Sequence, residues 1–139
     1  MWPPATSATV SGGTSFTILR PAAATTGDLL AIAVTEQSAG ITVTAPAGWT
    51  RVGFGQTTAG ALRQVVFVKP YSTGDATSWT FTLSASTKAS AVLLAIGGVS
   101  TATPPADAFA SAANDTTNQS STATPALTLS SSRSGIVVL

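Results

Sequence analysis

The chain has no cysteine and no histidine among its 139 residues, and only 8% of its side chains are charged. Without cysteine, neither a disulfide framework nor a thiolate metal site can form. Without histidine there is no Ser-His-Asp or Cys-His catalytic arrangement, and no His-ligated zinc or haem. The basic residues Arg20, Arg51, Arg63, Lys69, Lys88 and Arg133 are scattered and nearly balanced by Asp28, Glu36, Asp75, Asp107 and Asp115, for a net charge of +1. With no basic run or stripe, nucleic acid is not an expected partner. The longest apolar runs, "DLLAIAV" and "ASAVLLAIGGV", fall far short of the ~20 residues a membrane helix needs, so no membrane partner is expected. The start, "MWPPATSATV", has neither the basic residues nor the apolar run of a secretion signal.

What is there instead is small and hydroxylated. Thr, Ser, Ala and Gly dominate, methionine occurs once, and Glu, Lys and Gln are scarce. The usual helix formers are thus nearly missing, while 44% of residues are hydrophobic, enough for one domain with a core of its own. The hydrophobic period is two. In "SWTFTL" (78–83), Trp79, Phe81 and Leu83 share a face against Ser78, Thr80 and Thr82, which describes a half-buried strand. "TSFTIL" (14–19) places Phe16 and Ile18 together. "ALRQVVFVK" (61–69) sets Val65 and Phe67 against Leu62, Val66 and Val68. In "WTRVGFG" (49–55) the expected inward set is Val52 and Phe54, with Arg51 outside.

"DLLAIAV" (28–34) and "ASAVLLAIG" (89–97) are apolar on both faces. They read as central strands covered on both sides, or as strands whose outer face meets a neighbouring subunit; for the second, a strand is preferred over a buried helix. Gly-rich turns such as "SGGT", "TTGD", "QSAG", "PAG" and "STGD" separate the runs at short intervals, the spacing of a β-sandwich or barrel. Residues 98–126 carry no period and read as a long crossover loop. "ALTL" and "SGIVVL" then give two more expected strands, and the apolar ending leads us to expect a longer chain or a strand completed by a partner.

Few residues offer chemistry. Asp28 and Asp75 both follow a Thr-Gly pair; a glycosidase dyad is conceivable there, but turn capping is the preferred reading. Asp107 and Asp115 match no calcium-loop spacing. Asn114 and Asn118 head formal glycosylation sequons but are read as turn formers. No catalytic residue, cofactor or metal is expected, and the chain is not read as an enzyme. For ligand or subunit contact the candidates are Trp2, a terminal anchor, Trp49, at a turn-strand boundary, and Tyr71, read as lying at a surface rim. Trp79 is assigned to the core, and a core role is preferred for Trp49 as well.

The motifs "GDLL" (27–30), "PAGWT" (46–50), "WTFTLS" (79–84) and "GGV" (97–99) fall in one order over residues 14–99. In that order and spacing the chain resembles a domain of phage tail and fibre proteins and of some actinobacterial surface proteins. The resemblance implies an all-β, antiparallel, jelly-roll-like β-sandwich of about eight strands, and it carries over no catalytic residues. It also implies a structural role in a virion, as a minor tail or fibre component or a head decoration protein. The partners implied are copies of itself, a trimer foremost, other virion proteins, and a host cell-surface glycan. The alternative is a non-catalytic carbohydrate-binding module, secreted or on the bacterial surface.

Overall fold

The computed structural model describes residues 4–38, 40–56 and 62–99, and for 54–56 the backbone alone. Six strands form one antiparallel sheet: β1 (Ala5–Leu19), β2 (Leu29–Glu36), β3 (Val43–Thr44), β4 (Thr50–Gln56), β5 (Arg63–Pro70) and β6 (Ser78–Ile96). The order across the sheet is β1-β6-β2-β5-β4, with β3 also paired to β6. No helix occurs among the described residues. The two strands expected at 126–129 and 134–139, and most of the expected crossover, lie outside the described residues.

The sheet doubles back because its longest pair does. β1 and β6 pair in two stretches, Ala5–Ser11 against Leu94–Lys88 and Ser15–Leu19 against Thr82–Ser78, separated by register shifts around Gly13. Gly12 there takes a φ of 87°, a conformation that costs glycine little. Thirteen extended residues would span roughly 43 Å, yet the Thr6 hydroxyl donates to the Leu19 carbonyl at 2.5 Å. The hairpin is therefore folded in half at the bulge, as bulges allow. The first half of β6, with the second half of β1 and with β3, lies over the layer formed by the rest, a sandwich-like arrangement.

The core is the space between the layers. Along β6 the inward positions keep the strict two-residue period: Trp79, Phe81 and Leu83, then Thr87, Ala89, Ala91, Leu93 and Ala95. Phe16 and Ile18 of β1 lie beside Phe81 and Trp79 in the same layer, and facing these are Leu30, Ile32 and Val34 of β2 and Val65 and Phe67 of β5. Phe81, fully buried, sits at the centre. Its ring stacks on Phe16 at 5.5 Å and meets Phe67, from the opposite layer, at 5.8 Å. Each such fully buried side chain contributes about 1.5–3 kcal/mol of hydrophobic stabilisation.

A second, smaller cluster lies on the other face of β2 and β5, made of Leu29, Ala31 and Val68 with Val52, Ile96 and Val99 against it. The double apolar pattern of "DLLAIAV" is thus resolved into two buried faces, and "ASAVLLAIG" is strand rather than helix. One expectation is corrected. Val52 packs in this second cluster and not in the main core, because the register shift between Arg51 and Gly53 changes the phase of β4.

Candidate functional site

Two places gather the polar chemistry of the fold: the end where β2 begins and β5 stops, and the crease where the sheet turns over.

At the first, the two Thr-Gly-Asp turns lie side by side. Asp28 accepts from the Thr25 amide at 2.8 Å and from its hydroxyl at 3.1 Å, while Asp75 accepts from the Ser72 amide at 2.8 Å. The Thr26 and Thr73 hydroxyls, one from each turn, are 2.6 Å apart. Tyr71 ties the turns to the sheet, donating its amide to the Asp28 carbonyl and accepting at its own carbonyl from Gly27. The turn-capping reading of both aspartates therefore describes their geometry.

Around Tyr71 sits a charged rim. Arg20 lies over its ring, 5.0 Å from the centroid, and donates to its hydroxyl. Lys69 bridges to Asp75 at 2.8 Å. Burial would raise the Asp75 carboxyl, but the hydrogen bonds from Lys69 and the Ser72 amide, with the charges of Lys69 and Arg20, outweigh it and hold it below the usual range. Tyr71 itself is only 7% exposed. This corrects its placement at a surface rim: the ring belongs to the main core and only its hydroxyl reaches the rim.

Trp49 stands next to this group. The "PAG" turn before it needs a glycine at 48, where φ is 87° and an added Cβ would sit 3.1 Å from the Lys69 ammonium. The indole is half-buried against the core, edge-on to Trp79 at 5.4 Å and to Phe81 at 5.5 Å. Its N–H is buried and has no hydrogen-bond partner. An exposed stacking platform offers a free ring face, whereas this ring closes the end of the core. Trp79 is buried, as its strand face required. Trp2, Asp107, Asp115, Asn114 and Asn118 lie outside the described residues.

The crease was not singled out from the sequence. Glu36 follows Leu30, Ile32 and Val34 on the inward face of β2 and is fully buried. Its Oε1 lies 3.7 Å from Nε of Arg63, its register partner on β5. Arg63 Nη1 also donates to the Ile41 carbonyl at 2.5 Å. Burial pushes the Glu36 carboxyl above its ordinary value, and the Arg63 charge opposes this in part. The signal was available: an acid in phase with three apolar residues of one strand face points inward.

Among the described residues, no group of three or more Asp, Glu, His or Cys is placed to hold a metal, and no helix is long and apolar enough to cross a membrane. Comparison with protein-family models, with curated proteins and with solved structures gives no match to this chain.

Proposed function

We propose that the chain is a structural module of a phage virion, a minor tail or fibre component or a head decoration protein, working by assembly with copies of itself and with other virion proteins. The observation that carries this is the second apolar face. β2 and β5 present Leu29, Ala31, Ala33, Val66 and Val68 away from the main core, and β6 continues that face through Val92, 44% exposed, Leu94 and Ile96. Leu29, Ala31, Ala33, Val66 and Val68 are buried within the chain itself, and the exposed Val92 gives that face an apolar edge on which a second subunit can dock. The polar groups fit the same reading, because the described aspartates hold turns and the aromatics Phe16, Trp49, Phe67, Tyr71, Trp79 and Phe81 belong to or pack against the core. The motif order noted above adds phage tail and fibre proteins as the setting, with a homotrimer as the leading assembly, a jelly-roll-like closure of about eight strands, and contact with a host-surface glycan as a secondary role.

Light scattering over a range of concentrations tests it. A stable mass of three times 13.8 kDa, or another closed oligomer, is the expected result, and Val92→Asp is expected to dissociate it without unfolding the chain. A monomer at all concentrations would remove the assembly reading.

A further inference from the structure

The buried acid at the crease plays no part in that assembly reading. Glu36 has a side-chain exposure of 0%, and neither carboxylate oxygen accepts a hydrogen bond. Among the described residues, the charged group that faces it is Arg63, on β5. On β6 it is opposite Ala89, with Thr87 next on the same inward face; Lys88 is on the exposed face. The crossover from β2 to β3 brings Gln37, Ser38 and Ile41, and β3 brings Val43; none of these titrates.

The described part of that crossover is held by hydrogen bonds, among them Ser84 amide to Thr42 carbonyl at 3.0 Å and Ile41 amide to Ser38 carbonyl at 3.4 Å. The Gln37 amide donates to the Lys88 carbonyl at 2.9 Å, and the Thr87 hydroxyl donates to the Gln37 carbonyl at 2.8 Å. The Thr42 amide donates to the Ser84 hydroxyl at 2.9 Å, and Arg63 holds the Ile41 carbonyl. Ser38 sits at a φ of 147°, a region that residues with a side chain avoid. An ionised carboxylate needs several donors; a neutral carboxyl tolerates a dry site far better. A fully buried acid with no hydrogen-bond donor to either oxygen is therefore placed for its protonated form, a preference that burial sets and that the Arg63 guanidinium, 3.7 Å away, opposes in part.

We infer that Glu36 is a proton-operated latch on the β2–β3 crossover: protonated, it lies dry in the crease and the crossover is closed; ionised, it opens the crossover to reach water. The upward displacement of its carboxyl by burial runs in the same direction. The crossover joins the two layers of the fold, so the latch makes their coupling depend on pH.

Residue-resolved amide exchange on the full chain, read as protection factors across about pH 5 to 8, tests the latch. Protection at Gln37 and Thr42 is expected to fall with rising pH, by up to about tenfold per unit once Glu36 ionises. The ladder amides between β2 and β5, which open only with the whole chain, should keep higher protection than these two at every pH. The midpoint should coincide with the titration of the Glu36 carboxyl carbon followed by NMR in the same unmodified chain. In Glu36→Gln, the neutral isostere, protection at both amides is expected to stay high and flat. Flat protection in the unmodified chain, a midpoint that does not match Glu36, or an unchanged pH dependence in Glu36→Gln would each overturn the inference.

Discussion

Replacing Trp49 separates a core role from a binding platform, and the structure sets the sizes. Truncating a fully buried Phe or Trp to alanine costs about 3–5 kcal/mol. Trp49 is half-buried, with two edge-on ring contacts, to Trp79 and Phe81, so Trp49→Ala is expected to cost about 2–3 kcal/mol. Trp49→Phe is a different case. It gives up part of the ring, but it also removes an indole N–H that is buried without a partner, a group whose desolvation costs about 1–3 kcal/mol. The two effects oppose, so Trp49→Phe should lie within about 1 kcal/mol of the parent. The assay is urea unfolding followed by far-UV circular dichroism, since Trp49 itself contributes to fluorescence. With a slope of roughly 1–3 kcal/mol per molar, the alanine variant should lower the midpoint by about 1–2 M and the phenylalanine variant hardly at all. An alanine variant within about 0.3 M of the parent would refute the core assignment and return Trp49 to the surface as a platform.

Three further outcomes follow from the same geometry. Gly48→Ala should cost about 1–2 kcal/mol in the same unfolding assay, because φ is 87° there and the new Cβ would crowd the Lys69 ammonium; an unchanged midpoint would remove the requirement for glycine in that turn. The folded-state carboxyl of Asp75 lies below its ordinary 3.8, so its contribution is complete above that pH and is lost as the pH falls through the folded value; Asp75→Asn should flatten the acid limb of a stability-versus-pH curve, and a curve of unchanged shape would count against the Lys69 pairing. Glu36 has the opposite sign: its folded carboxyl lies above 4.5, so stability falls as the pH rises from there through the folded value, and Glu36→Gln should abolish that fall when melting temperature is followed against pH.

The sequence by itself determined the class of this fold and most of its inward faces. A period of two is a local property, readable wherever polar and apolar residues alternate, so Trp79, Phe81 and Leu83, and Phe16 and Ile18, were assigned correctly. Val65 and Phe67, in a strand apolar on both faces, could be set on one face without saying which face is inward. The two Thr-Gly-Asp turns carried their own capping chemistry. Tertiary structure decided what depends on partners distant in the chain. Tyr71 is buried because Arg20 and the neighbouring turn close over it, and nothing within "KPYS" states that. Val52 changes face because a one-residue register shift moves a strand's side chains to the opposite side. Glu36 kept the strand's phase, but its isolation from hydrogen-bond donors exists only once the β1–β6 hairpin has folded in half and brought the crossover down onto the crease. Alternation fixes which way a side chain points along its own strand; what it then meets is fixed by which strands the folded sheet lays against it.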